Sequence, residues 1–213
     1  MFSGFLKNLN YTESLQDEFL IHGSQTEPNS QVEVIASKIK DEDSTITILK
    51  ILYHLSNQLR YQNKNSIKFN RTASEIMDSG FYTGCSDFAL IFETLARYKK
   101  IPTIHVQTAG KKFIEKLQHE EDVSIIGHHF CECNINGKWI LVDPLNGRIL
   151  ERYNPIDLNI GQYYAFAKST DIFETGIHNI YENNKKIKEI FSGFDINQFH
   201  PANDERKEKE EYR

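Results

Sequence analysis

The dipeptide Asn136-Gly137 constrains the fold of this chain more than any other sequence feature. Asn-Gly is a strong signal for a type I′ turn, whose twist matches that of two antiparallel strands. The residues on either side, 124–135 and 138–142, have the composition of strands. The sequence therefore predicts a β-hairpin at this point and, with it, part of an antiparallel sheet.

Helices are predicted upstream of the hairpin. Apolar residues recur at helical spacing over 44–59, which is typical of a helix with one face in the core. Thr72 and Glu75 have the spacing of a capping box, so a short helix is expected to begin after Thr72. Another helix is predicted to begin at Cys85. Further strands are predicted at 103–108 and 148–150, a further helix at 183–191, and a loop or short exposed helix within 110–122.

Three parts of the chain are expected to differ in character. Residues 1–30 are polar and weakly periodic, and they are interpreted as an N-terminal extension. Residues 31–200 are predicted to form one catalytic domain, because this length is sufficient for a single core. The charged run 201–213 is predicted to be a solvated tail.

Charge and cysteine content limit the classes of protein that fit. The net charge is −5 with acids and bases interspersed, which gives no field that favours nucleic acid. No stretch approaches the roughly 18 apolar residues of a membrane helix, and the N-terminus does not have the pattern of a secretory signal. Three cysteines are an odd number and favour a reducing compartment. We expect a cytoplasmic protein with no nucleic-acid or membrane partner. Secretion by a route without a cleaved signal and the oligomeric state are left open.

Cys85 is a candidate nucleophile because of its place in the sequence. A cysteine at the start of a helix lies among unsatisfied N–H groups, which favour the thiolate. Gly84 before it is expected to allow a tight turn and close approach of a substrate. A buried and inert cysteine is an equally good interpretation of these residues alone.

The hairpin can supply a base and a group that orients it. His128 and His129 lie on the first strand and Asp143 ends the second, and cross-strand neighbours have Cβ atoms roughly 4.5–5.5 Å apart. Alternation places His128, Phe130 and Glu132 on one face of the strand, and His129 on the other. Only one of the two histidines is expected to face the thiol, and the hairpin alone does not choose between them.

Three separated motifs resemble the transglutaminase-like superfamily. Thr72-Ala-Ser-Glu-Ile-Met, Gly84-Cys-Ser-Asp-Phe-Ala and Leu95-Ala-Arg-Tyr-Lys-Lys-Ile-Pro resemble its nucleophile segment. His128-His-Phe-Cys-Glu and Trp139-Ile-Leu-Val-Asp-Pro resemble its histidine and aspartate segments. The resemblance covers about residues 45–180. Its pattern of a histidine, an aromatic two residues on and a glutamate four on selects His128 and makes His129 an outward or core neighbour.

The resemblance implies an α+β fold of the papain-like, transglutaminase-core type, with the nucleophile helix packed on an antiparallel sheet. It implies a thiol enzyme with Cys85 as nucleophile, His128 as base and Asp143 as its orienting carboxylate, acting on a peptide or protein amide without a cofactor. Hydrolysis through a thioester is the first hypothesis, protein crosslinking by amine transfer the second, and a binding module without turnover the third. Asn70 is a weak candidate for a second oxyanion donor.

Other residues that could carry chemistry have a simpler interpretation. His129, Cys131 and Cys133 share a strand face and suggest a zinc site, but no fourth ligand is evident, so no metal is predicted and packing in the core is favoured. His105 is interpreted as a structural residue of its strand, and Asp87 as a first-turn acid that stabilises its helix.

Overall fold

The structure, a computed structural model, describes residues 9, 11, 13–40, 43–117, 119 and 125–199. The chain is an α+β protein. Its helices are α1 (Glu13–Glu18), α2 (Ser30–Lys38), α3 (Ser44–Gln58), α4 (Ala73–Ser79), α5 (Cys85–Tyr98), α6 (Lys111–Leu117) and α7 (Ile180–Phe191). Its strands are β1 (Arg60–Tyr61), β2 (Phe81–Tyr82), β3 (Thr103–Gly110), β4 (Gly127–Ile135), β5 (Lys138–Asp143), β6 (Arg148–Leu150), β7 (Asn159–Ile160) and β8 (Tyr163–Ser169).

The hairpin predicted from Asn136-Gly137 is confirmed. Asn136 and Gly137 have φ of 51° and 85°, as a type I′ turn requires, and β4 pairs antiparallel with β5. This hairpin lies inside a larger antiparallel sheet with the strand order β6-β5-β4-β3-β8-β7. β4 is therefore flanked by β3 and β5, and its residues are held on both edges by backbone hydrogen bonds.

The helix that begins at Cys85 packs on one face of this sheet. Cys131 and Cys133 of β4 and Val142 of β5 belong to the same buried cluster as the apolar side chains of α5. Helices α3 and α4 contact α5 as well. α5 is consequently buried along most of its length, including its polar residues Glu93 and Arg97. The prediction of a helix that packs on an antiparallel sheet is confirmed.

The predicted starts of α3 and α4 are also confirmed. Asp43 accepts a hydrogen bond from Thr45 N–H at the start of α3. Thr72 and Glu75 form the full capping box of α4, and Gly80 ends this helix in the left-handed conformation, with φ of 69°. These local signals need no tertiary contact to act, which is why the sequence alone reveals them.

The described part of the predicted N-terminal extension packs against the main body. Phe19 is buried with Ile104 and Trp139, and its carbonyl oxygen accepts from Thr103 N–H. Gln25 is fully buried. The division at residue 30 stays a prediction, and the predicted tail 201–213 lies outside the described residues.

Some elements were not predicted or were left open. Strands β7 and β8 and helix α2 have no counterpart in the sequence analysis. Within residues 110–122, where a loop or a short exposed helix was predicted, the structure has helix α6. Two of its side chains, Phe113 and Ile114, are buried. Among the described residues, no helix has both the length and the apolar composition needed to cross a lipid bilayer.

Candidate active site

The turn before α5 fixes the position of Cys85. Asp87 is buried, and its carboxylate accepts from both the backbone N–H and the hydroxyl of Thr83, at 2.7 and 2.9 Å. Arg71 adds a charged hydrogen bond of 2.5 Å to the same oxygen. These bonds tie the chain before the helix to its first turn. Asp87 thus does more than the sequence predicted for a first-turn acid, because it determines where the Cys85 backbone lies.

Gly84 leaves space beside the thiol. Its backbone is extended, with φ of 175° and ψ of −171°, so the predicted tight turn is absent. A Cβ added to Gly84 would meet only the Lys68 side chain, at 3.9 Å. The missing side chain therefore keeps the approach to Cys85 open, which agrees with the second role expected for this glycine.

His128 lies at the start of β4, where several contacts hold its backbone and ring. The Thr108 hydroxyl accepts from His128 N–H and donates to the His128 carbonyl oxygen. The imidazole packs edge-on against Phe130 and is stacked on Tyr163, with centroid distances of 4.6 and 5.6 Å. Its Nε2 lies 2.9 Å from Oδ1 of Asp143. The ring orientation is therefore fixed from several sides.

Asp143 is held in turn by the residues that follow it. Asn146 donates to it from its backbone N–H, at 3.1 Å, and from its side-chain amide, at 2.8 Å. Burial raises the pKa of the Asp143 carboxyl, but the hydrogen bonds from His128 and Asn146 outweigh burial and hold this pKa below its usual value. Asp143 is thus a carboxylate at neutral pH. Sequence reasoning did not single out Asn146, although it follows Asp143 by only three residues.

The thiol of Cys85 interacts with His128. Burial alone would lower the pKa of His128, but hydrogen bonds to Asp143 and to Cys85, together with the negative charges of both groups, raise it to about 9. Since Nε2 is bonded to Asp143, the nitrogen left for the thiol is Nδ1. The three residues predicted as nucleophile, base and orienting group are therefore brought together in this order by the fold.

His129 lies on the opposite face of β4 from His128 and is also close to Cys85. It is buried, as the sequence analysis expected for a core neighbour. Its ring and Cys85 both line a cavity of about 160 Å³. Other residues that line this cavity include Phe69, Gly84, Gly127, Phe166, Asn183 and Ile187. The contribution of α7 was not predicted, because its distance from Cys85 in the sequence is large and it carries no motif.

The remaining candidate residues lie elsewhere. Asn70 is exposed and is not among the residues that line the cavity, so its role as an oxyanion donor stays a prediction without structural support. Cys131 and Cys133 are free thiols in the core: Cys131 points to the carbonyl oxygen of Ala89, and Cys133 contacts Thr103.

Glu132 belongs to a separate buried cluster. It forms an ion pair with Lys168, and it accepts hydrogen bonds from Tyr11 at 2.7 Å and from Tyr153 at 2.5 Å. Burial and the Glu132 charge raise the pKa of both tyrosines. Glu132 therefore holds the segments that contain Tyr11 and Tyr153 against the sheet.

The fold resembles that of a solved structure. No protein family matches the sequence, and neither does any curated protein. The crystal structure of a "Putative Cysteine Protease from Cytophaga hutchinsonii" superimposes with a TM-score of 0.56 at 18% identity, over 81% of this chain and 53% of that one. A "putative protease from Parabacteroides distasonis" matches at 13% identity with a TM-score of 0.39, over 64% of this chain and 29% of that one. This chain spans about half the length of the Cytophaga protein, and with it shares a papain-like α+β fold.

Proposed function

We propose that this chain is a cysteine-dependent hydrolase that cleaves an amide, in a peptide bond or a glutamine side chain, through a thioester on Cys85. The observation that carries the proposal is the contact of the Cys85 thiol with His128. The other ring nitrogen of His128, Nε2, is hydrogen-bonded to Oδ1 of Asp143 at 2.9 Å. Nucleophile, base and orienting group in that order are what thiol-based acyl transfer requires.

Each residue has a separate task in this reaction. With its Nε2–H donated to Asp143, neutral His128 carries its lone pair on Nδ1 and can take the thiol proton. The Cys85 thiolate then attacks the carbonyl carbon: the S–C bond forms, and the carbonyl electron pair moves onto oxygen. The departing amine takes a proton from Nδ1 as the C–N bond breaks. Water, deprotonated by Nδ1 of His128, finally attacks the thioester: the C–O bond forms, the C–S bond breaks, and the proton on Nδ1 returns to the Cys85 sulfur as the acid leaves.

The environment of Cys85 supports this assignment over that of an inert thiol. Its helix start is held in place by Asp87, and an unsatisfied N–H group there can donate to the developing oxyanion. The cavity beside it is lined by apolar side chains such as Phe69 and Phe166 and by polar ones such as Asn183, which suits a peptide segment that has both apolar and hydrogen-bonding groups. The fold shared with the Cytophaga protein, and its description as a cysteine protease, support hydrolysis as the outcome. The motif resemblance supports a transglutaminase-like arrangement of the site.

Alkylation by iodoacetamide, followed by peptide mapping across a pH series, tests the nucleophile. We expect Cys85 to be labelled below pH 7, because the imidazolium of His128 stabilises the thiolate, and we expect His128→Ala to move its labelling to higher pH. Cys131 and Cys133 are internal controls. Burial raises the pKa of both, to about 12 for Cys133, so neither should be labelled in the folded protein. Labelling of Cys85 only near pH 8.5, as for a free thiol, would overturn the proposal.

A glutamine peptide incubated with and without a primary amine identifies the acceptor of the thioester. Ammonia release or peptide cleavage without incorporation of the amine is the expected result. An amine adduct would replace hydrolysis by the crosslinking reaction. A reactive Cys85 that forms neither product on a panel of peptides would favour a binding module on the same fold. Cys85→Ser is the matched control, because it should abolish every product.

A further inference from the structure

A chain of buried polar residues leads from the core to the cavity beside Cys85, and the reaction described above does not use it. Oε2 of Glu93 on α5 lies 3.0 Å from Nδ1 of His105 on β3. Nε2 of His105 lies 2.8 Å from Nδ1 of His129 on β4. Glu93 and His105 are fully buried and His129 is 6% exposed. Residues of α5, β3 and β4 are therefore connected by consecutive hydrogen bonds.

This hydrogen-bonded chain ends at His129, which lines the cavity. Nδ1 of His129 is hydrogen-bonded to His105. Nε2 of His129 has no hydrogen bond to any residue that the structure describes. The ring lines the cavity together with Cys85, and its centroid lies 5.6 Å from that of Phe69. Phe69 has a left-handed backbone, with φ of 66°, which is strained for a residue with a side chain. The ring of His129 is thus packed in place while one of its nitrogens stays available to a ligand.

The contacts of Glu93 indicate where the protons of this chain lie. Its second oxygen, Oε1, is buried without a hydrogen-bond partner among the described residues. The nearest cation, Arg97, is 3.9 Å from Oε2, and its guanidinium donates instead to Thr26, Thr103 and Thr170. An unpaired oxygen costs far more in a carboxylate than in a carboxylic acid. Burial is the largest influence on the pKa of Glu93 and raises it despite the opposing charge of Arg97, which agrees with a protonated side chain.

A protonated Glu93 determines the direction of every hydrogen bond that follows. Its O–H donates to Nδ1 of His105, so the ring proton of His105 is on Nε2 and is donated to Nδ1 of His129. The proton of neutral His129 must then be on Nε2. Burial, with the nearby charge of His128, lowers the pKa of His129 well below its usual value, so this ring is neutral. The chain therefore presents an N–H donor to the cavity.

We infer that His129 binds the carbonyl oxygen of the substrate through Nε2–H, and that Glu93 and His105 are positioning residues that fix its tautomer. The inference rests on the proposed function. As the S–C bond to Cys85 forms, the carbonyl electron pair moves onto this oxygen, and a fixed donor stabilises the charge that develops there. His129 thereby takes the role for which the sequence offered only Asn70, and the two histidines of β4 have different tasks: His128 moves protons and His129 holds the oxygen.

The tautomer of His129 can be measured in the unaltered protein. Two-bond ¹⁵N–¹H correlation spectra of histidine-labelled protein distinguish a ring that is protonated on Nε2 from one protonated on Nδ1. His129→Gln assigns the signal. We expect the Nε2–H form for His129, and we expect Glu93→Met, which removes the donor at the start of the chain, to shift this ring towards a mixture of tautomers. A proton on Nδ1 of His129 in the unaltered protein would overturn the inference.

Kinetics of two variants test the role in catalysis. His129→Leu removes the donor and should lower kcat by about 10²-fold, the typical effect of losing an oxyanion donor, whereas His129→Gln keeps an N–H donor and should recover part of the loss. His178→Leu is the control, because His178 is exposed and does not line the cavity. Unchanged kcat in folded His129→Leu would overturn the inference.

A reagent without a carbonyl group separates this inference from the proposed function. A methanethiosulfonate is attacked by the Cys85 thiolate at sulfur and needs no oxyanion donor. We expect it to modify Cys85 at the same rate in His129→Leu as in the unaltered protein, while hydrolysis falls. A rate that falls as much as kcat would overturn the oxyanion role, because the variant would then act on the thiol itself. Failure to modify Cys85 in the unaltered protein would overturn the proposed function and this inference with it.

Discussion

Replacing Asp143 by asparagine tests how the protein holds a proton on His128. The substitution keeps the size of the side chain and removes its charge. It also reverses a hydrogen bond, because an amide N–H directed at Nε2 of His128 would force the ring proton onto Nδ1. The lone pair that accepts the thiol proton would then be lost. Both effects act on the same ring without removing any apolar contact.

The size of the effect follows from the pKa of His128. This pKa rises from 6.5 to about 9 in the folded protein. At about 1.36 kcal/mol per unit, the interactions favour the imidazolium by about 3 kcal/mol. The hydrogen bond to Asp143 comes first among the interactions that raise the pKa, ahead of those with Cys85. We therefore expect Asp143→Asn to lower the pKa of His128 by roughly one unit or more, at least a tenfold change in its proton affinity.

An NMR titration of the His128 ring measures this pKa directly. Alkylation of Cys85 at pH 6 is the second measurement, and it should slow in Asp143→Asn because less imidazolium is present to stabilise the thiolate. Asp17→Asn is the matched control, since Asp17 is exposed on α1. A pKa of His128 that stays near 9 in Asp143→Asn would refute the reasoning, and so would an equal decrease in the control.

Three further predictions concern stability and the placement of the site. Because the pKa of His128 is raised, its contribution to the free energy of unfolding is complete below pH 6.5 and is lost as the pH rises through about 9. Urea unfolding across this range should show a loss of up to about 3 kcal/mol. A free energy of unfolding that does not change with pH would contradict the prediction. A Cβ at Gly127 would lie 2.4 Å from a carbonyl oxygen of β3. Gly127→Ala should therefore lower the free energy of unfolding in urea by about 1–3 kcal/mol and slow alkylation of Cys85. Gly193 has open space around it, so Gly193→Ala should do neither. Lys168→Met leaves Glu132 buried without its cation and should lower the free energy of unfolding by about 3–5 kcal/mol; a loss below about 1 kcal/mol would show that the pair contributes little.

The elements that the sequence predicted are those with local signals. The Asn136-Gly137 turn and the Thr72–Glu75 capping box act within a few residues, so the β4–β5 hairpin and α4 could be located without tertiary information. β8 was missed for the opposite reason: nearly all of its residues are buried, so it shows no alternation, and it pairs with β3 from a distant part of the chain. Helix α2 was missed because its cap, Asn29, lies in the polar, weakly periodic residues 1–30, which were interpreted as an N-terminal extension.

The site was predictable only in part. Alternation along β4 correctly separated His128 from His129, but the choice of His128 came from the family resemblance and not from the residues alone. The position of His129 at the cavity beside Cys85 was not foreseen, because it depends on how α5 crosses β3 and β4. The same holds for the contact between Arg71 and Asp87, which joins residues on either side of α4. Patterns within one element cannot show where different elements meet.

The side chain of Gln25 connects parts of the chain that are synthesised at different times. Its amide donates to the carbonyl oxygens of Phe69 and Arg71 and accepts from the N–H groups of Ile172 and Phe173. One early residue thus connects the strained segment beside the thiol to a part of the chain that is synthesised more than a hundred residues later. A nascent polypeptide would therefore expose Cys85 before Ile172 and Phe173 are synthesised, and the pocket around the thiol could close only after them.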